Sequence, residues 1–179
     1  MSILERIIED KIKEVELKKS IIPVAQLEQS VLFDRPKNSL KKRLSESKSG
    51  IIAEHKRRSP SKAVISQSLN IQDVAKGYQT AGVCGMSVLT DTKYFGGNLE
   101  DLLVARASCN LPLLRKDFII DPYQIIEAKA YGADVILLIA AILSREEIQN
   151  LSDIAQQLNL EILLEIHNQE ELQKALMPS

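Results

Sequence analysis

Tryptophan is absent from the 179 residues, and aromatic side chains make up only 4% of them. That scarcity disfavours single-stranded nucleic-acid platforms, which rest on stacked rings. An excess of one charge is also missing: 23 Lys and Arg face 24 Asp and Glu, for a formal net charge of -1. No overall field therefore marks nucleic acid or an anionic membrane as the partner. Cysteine is limited to Cys84 and Cys109, with no C-x-x-C spacing. A disulfide framework and a thiolate zinc site are both disfavoured, and a reducing, cytoplasmic setting is expected. No apolar run reaches membrane-spanning length; the longest, Val135 to Leu143, is of strand length. The start, Met1 to Lys18, alternates charge with Ile, Leu and Val and lacks the uninterrupted apolar core of a signal peptide. Neither G-x-G-x-x-G nor G-x-x-x-x-G-K-[ST] occurs, which removes the two strongest nucleotide fingerprints.

What is present is the balance of a globular domain, 45% apolar and 26% charged. Ile3, Leu4, Ile7, Ile8, Ile12, Val15 and Leu17 recur at helical spacing and predict an amphipathic helix ending near Pro23. A polar linker leads to a short basic helix, Leu40 to Leu44, closed by Ser49-Gly50. From Gly50 the texture becomes short apolar runs separated by helical patterns. Strands are expected at Gly50–Glu54, Gly85–Thr90, Pro112–Phe118, Ala133–Ala140 and Glu161–Ile166. Helices are expected at Ile71–Ala81, Leu99–Ser108, Pro122–Tyr131, Ser144–Leu158 and Gln169–Leu176, the fourth opening on a capping-box-like Ser144-Arg145-Glu146-Glu147. Five consecutive β-then-α units without a hairpin signal predict a parallel sheet with crossover helices. Periodicity alone leaves a doubly wound sheet and a closed barrel both open.

Several strand ends carry ionisable groups. Glu54 and Lys56 are two apart and share a side, with His55 opposite. Lys116 and Phe118 share a face of the third strand, with Arg115 and Asp117 on the other. In the fifth, Leu163, Glu165 and His167 align. Taken singly, these read equally well as exposed ion pairs or a snorkelling lysine. Together, three strands delivering Glu54, Lys56, Lys116 and Glu165 to one layer point to an acid/base site at a barrel mouth.

The segments around these residues resemble the indole-3-glycerol phosphate synthase family. Glu54-His55-Lys56-Arg57-Arg58-Ser59-Pro60-Ser61 is similar to its E-x-K-x-x-S-P-S signature. Ser87-Val88-Leu89-Thr90-Asp91 with Tyr94-Phe95-Gly96-Gly97-Asn98 resembles its second strand and loop. Leu114-Arg115-Lys116-Asp117-Phe118-Ile119-Ile120-Asp121-Pro122-Tyr123-Gln124 is similar to its K-D-F-I-x-D-x-x-Q segment, and Ile136 to Ile139 and Leu164 to Asn168 follow in order. The resemblance implies a (β/α)8 barrel and a lyase of tryptophan biosynthesis. Its substrate is a phosphorylated anthranilate derivative, 1-(2-carboxyphenylamino)-1-deoxyribulose 5-phosphate. Neither cofactor nor metal is implied. It assigns Lys116 as general acid, Lys56 as the cation that holds the substrate carboxylate or phosphate, and Glu54 and Glu165 as acid/base partners in dehydration. It also places Phe95, Phe118 and Leu138 around the aromatic ring, each equally readable as core packing. Ser59 and Ser61 either donate near the phosphate or shape the turn at Pro60. The basic cluster Lys37, Lys41, Lys42, Arg43, Lys48, Arg57, Arg58 and Lys62 fits steering of a doubly anionic substrate, or a solvated basic surface.

The sequence departs from the family at Ala63, where glycine is common, and in length. A (β/α)8 barrel runs to about 250 residues. The expectation is therefore a helical extension over 1–49 and an incomplete barrel over 50–179, lacking the last strands and the phosphate-cradling loops. Such a piece is expected to be inactive alone and to associate through exposed sheet edges. Two alternatives stand beside the synthase: an inert or partner-binding half-barrel, and another phosphate-handling barrel, against which Lys116-Asp117-Phe118 and Glu54-x-Lys56 argue.

Overall fold

The computed structural model describes residues 2–65 and 69–176. Helix α1 (Ile3–Ile21) begins at a capping box, in which the Ser2 hydroxyl accepts from the Glu5 N–H and the Glu5 carboxylate accepts from the Ser2 N–H. It ends before Pro23, which opens the single turn α2 (Val24–Leu27). After α3 (Leu40–Glu46) the chain alternates regularly: β1 (Ile52–His55), α4 (Ile71–Thr80), β2 (Gly85–Leu89), α5 (Thr92–Phe95), α6 (Leu99–Ser108), β3 (Leu113–Lys116), α7 (Pro122–Ala130), β4 (Val135–Ile139), α8 (Arg145–Gln157), β5 (Glu161–Glu165) and α9 (Gln169–Ala175).

All five strands are parallel and lie in the order β1-β2-β3-β4-β5. A doubly wound sheet would put its first strand in the interior of the order. Sequential order with a helix at every crossover is the α/β pattern of a partial TIM barrel. The register sets Glu54 beside Ser87, Leu89 beside Lys116, and Ile139 beside Glu165, so the polar strand ends share one rim.

Parity along the strands makes two apolar layers. Met86, Val88, Leu113, Ile136 and Leu138 face outward into the core shared with the helices, including Leu102, Ile125 and Leu151. Leu114, Val135, Leu137 and Ile139 form the inner layer, joined by Ile52 and Leu163. Leu40 of α3 enters this inner layer and reaches Gly85 at the start of β2. The short basic helix thus sits under the N-terminal ends of the strands.

Long-range contacts stitch the N-terminal helices to the sheet. The Tyr123 hydroxyl donates to the Ile22 carbonyl at 3.0 Å, the Ser30 hydroxyl to the Ala130 carbonyl at 2.6 Å, and Lys19 meets Asp121 at 2.5 Å. Asp134, just before β4, is fully buried. Its carboxylate accepts from Arg35 (2.7 Å), the Asn38 N–H (2.7 Å), Arg106 (2.9 Å) and the Leu113 N–H (2.9 Å).

The expected strands and helices are all present, most with shorter ends, although α3 runs two residues further, to Glu46, and β1 one residue further, to His55. The third strand stops at Lys116 because Asp117 turns its carboxylate onto Lys11 and onto the N–H of Phe118. The expected capping box at Ser144 is formed with Glu147. No helix among the described residues is long and apolar enough to cross a membrane.

Candidate active site

A cavity of about 210 Å³ opens at the C-terminal ends of the strands. In a β/α barrel this is the end where the loops gather. Glu54 and Lys56 line it from β1 and its exit, Lys116 and Phe118 from β3 and its exit, Glu165 from β5, and Phe95 from α5. Lys56 pairs with Glu54 at 3.0 Å, and Lys116 with Glu165 at 3.1 Å. All four are about one-third exposed, so both ammonium groups are held by carboxylates yet open to a ligand. The Ser87 hydroxyl donates to Glu54 at 3.3 Å, and the Tyr78 hydroxyl donates to the Glu54 carbonyl at 2.9 Å. Sequence reasoning missed both; Ser87 was visible as the same-face residue beside Glu54 once the register is known. Two cations, two anions and an apolar wall can bind an anionic ring, donate a proton to a carbonyl oxygen and accept one from carbon or nitrogen.

The apolar wall is the ring pair Phe95 and Phe118, with centroids 6.0 Å apart and planes tilted by 41°. Leu138 corrects the expectation made for it. It points into the outer core, and Leu137 and Ile139 line the cavity instead. Every residue of β4 is buried, so its sequence carries no in/out alternation from which parity could be read.

Ser59 lies outside the cavity lining. Its backbone exchanges two hydrogen bonds with Lys62 (2.9 and 3.0 Å), and its hydroxyl sits 3.2 Å from that of Ser61. Here it shapes the turn at Pro60.

The basic cluster does not converge. Arg57 forms a two-pronged pair with Asp101 of α6, and Arg58 donates to the carbonyls of Thr92 and Lys93 at 2.7 and 2.8 Å. Both tie the loop after β1 to its neighbours. Lys37 and Lys41 line a groove with Val135 and Glu161, at the opposite end of the strands, and Arg43 donates to the Asn110 carbonyl there. A combined steering role is therefore corrected: the charges are spread over both ends of the sheet. His55 faces away from the cavity, and burial and the nearby Arg57 push its pKa below the ordinary value.

Behind the site lies an ionic network. Asp117 accepts from Thr90 (2.6 Å) and Arg115 (3.0 Å), and Lys11 of α1 stands 3.0 Å away. Burial alone would raise the Asp117 carboxyl, but Lys11 and Arg115 hold it well below the carboxylate range. Burial would likewise lower the Lys11 ammonium, and Asp117, Asp91 and Glu14 hold it above its ordinary value.

The loop carrying Phe95 is fixed by backbone approach. A Cβ at Gly97 would stand 1.9 Å from the Leu89 carbonyl oxygen, which is rigid strand backbone. Gly97→Ala is expected to push this loop off β2, lowering stability by about 1–3 kcal/mol. The midpoint of urea unfolding measures this; an unchanged midpoint would show that the loop yields freely.

The family model described as "Indole-3-glycerol phosphate synthase" matches residues 4–178. Among curated relatives of that name, the protein of Bacteroides thetaiotaomicron is 48% identical over 170 residues, covering 95% of this chain and 65% of its own. That of Acinetobacter baylyi is 40% identical over 175 residues (98% and 65%), and that of Acidithiobacillus ferrooxidans 43% over 178 residues (97% and 68%). The chain spans about 65% of the length of the first two relatives.

Proposed function

The chain belongs to the indole-3-glycerol phosphate synthase family, and on that premise we propose that it carries catalytic groups for closing the indole ring of 1-(2-carboxyphenylamino)-1-deoxyribulose 5-phosphate. The observation that carries this reading is the pair of lysine–carboxylate contacts, Lys56–Glu54 and Lys116–Glu165, brought from three strands to one cavity beside two phenyl rings.

The carboxyl-bearing carbon of the anthranilate ring attacks the ribulose carbonyl, and Lys116 protonates the oxygen as the new carbon–carbon bond forms. Loss of carbon dioxide restores the aromatic ring. Departure of the new hydroxyl as water, with a proton leaving the adjacent carbon, completes the indole. Glu165, 3.1 Å from Lys116, is placed to receive or return that proton, and Glu54 shares the duty while orienting Lys56. Lys56 holds the substrate carboxylate or phosphate. Phe95 and Phe118 flank the ring, which orients the attacking carbon and keeps water from it. The product enters tryptophan biosynthesis.

The test supplies the substrate to the full-length protein and follows indole-3-glycerol phosphate by its fluorescence together with released carbon dioxide. Stoichiometric formation of both supports the reading, and their absence at saturating substrate sinks it. Residues 1–179 expressed alone are expected to turn over at under one-hundredth of that rate. Loops beyond the fifth unit usually cradle the phosphate in this fold, and the binding energy of a non-reacting phosphate positions the reacting centre. Comparable rates would show those loops to be dispensable.

A further inference from the structure

We infer that Lys11 of the N-terminal helix is a positioning residue for this site, the cation that joins Asp91 in the loop after β2 to Asp117 in the loop after β3 and so sets the Phe95–Phe118 wall and the setting of Lys116. The inference rests on the function proposed above. Lys11 is only 2% exposed, on the same helix face as Ile7 and Val15. An apolar residue would serve helix docking at that place as well as its neighbours do, and a buried ammonium is costly unless matched. Its matches are specific. The ammonium lies 3.1 Å from Asp91, 3.0 Å from Asp117 and 2.8 Å from Glu14.

Each of the two aspartates governs one side of the wall. Asp91 accepts from the N–H groups of Tyr94 (2.7 Å) and Phe95 (3.2 Å) through one oxygen, and turns the other to Lys11. Among the described residues, that second oxygen has no other hydrogen-bond or ion-pair partner. Asp117 sits between Lys116 and Phe118 and accepts from the Phe118 N–H at 2.9 Å through the oxygen that meets Lys11. Arg115 and Thr90 reach only the other Asp117 oxygen. Removing the ammonium leaves two buried carboxylates facing each other across the seam between the loops. Repulsion then separates the rings and moves the strand end that carries Lys116.

The test compares Lys11→Met with Lys11→Met/Asp91→Asn in the full-length protein. Asn is as good an N-cap as Asp, so the double variant restores the charge balance and keeps the α5 cap. Its unfolding midpoint is expected to recover most of what Lys11→Met loses. Its kcat is expected to stay at least tenfold below the parent, because the bridge between residue 91 and Asp117 remains absent while only the Thr90 and Arg115 side-chain contacts to Asp117 are left. Recovery of kcat together with stability would overturn the inference, since Lys11 would then matter only as a counter-charge, as would parental kcat in the folded single variant. Amide hydrogen exchange at Phe95 and Phe118 gives a readout independent of turnover. Exchange at least tenfold faster at both positions in the double variant is expected, and unchanged protection overturns the inference. Should the parent itself show no synthase activity, the function reading fails, and the exchange result still decides whether Lys11 holds the two loops.

Discussion

Lys116→Met in the full-length protein is expected to abolish ring closure and leave the fold intact. Methionine keeps the length and most of the volume of the side chain but cannot donate a proton. Positioned proton transfer contributes about 10²–10⁴-fold, and in the proposed reaction Lys116 also supplies positive charge near the developing oxyanion, so kcat is expected to fall by at least the upper part of that range. Stability changes little by comparison. The Lys116–Glu165 pair is about one-third exposed on both sides, and such pairs are worth roughly 0–1 kcal/mol. Product fluorescence under saturating substrate measures the first effect and urea unfolding the second. Turnover within tenfold of the parent would remove Lys116 from the role of acid. A collapse in stability would instead show that the strand end depends on the pair.

Asp134→Ala is expected to be the most destabilising single change at the opposite end of the sheet, at about 3–5 kcal/mol, the usual range for breaking a buried charge pair by removing one partner. The substitution takes the acceptor from two arginines and two backbone N–H groups at once. Arg106 is itself nearly buried, so its charge would be left without a counter-ion. The Leu113 N–H begins β3, and the Asn38 N–H and Arg35 belong to the segment before α3. Loss of Asp134 therefore loosens a strand and the N-terminal segment together. The site lies at the other end of the strands, so kcat of the folded fraction should remain near the parent value. A loss under about 1 kcal/mol would show that the arginines find water or other carbonyls instead.

The β/α alternation was legible because hydrophobic period switches from short apolar runs to helical spacing at every unit. The rim residues Glu54, Lys56, Lys116 and Glu165 were legible because ionisable groups at the ends of apolar runs are rare. The two four-residue helices α2 and α5 were not, since a single turn carries no periodicity. Leu138 was misread for a related reason: β4 is apolar throughout, and only the register against β5 fixes which residues face inward. Lys11 looked like one more charge on an amphipathic helix. What gives it meaning is two aspartates, Asp91 and Asp117, that only the packed fold sets beside it. The basic cluster failed in the reverse direction, since residues close in sequence around α3 and β1 are carried to opposite ends of the strands.

The docking of α1 through residues about one hundred positions away has a consequence for the chain during its synthesis. Tyr123, Ala130 and Asp121, which receive Ile22, Ser30 and Lys19, are separated from those partners in sequence by 101, 100 and 102 residues. At about 5–20 residues per second, the ribosome needs roughly 5–20 s to deliver them. For that interval Val15 of α1, which packs with Tyr123 and Ala130 in the finished fold, stays uncovered. Helix α1 therefore waits for a docking surface made about one hundred residues later, and the nascent chain offers an apolar face to chaperones until α7 emerges.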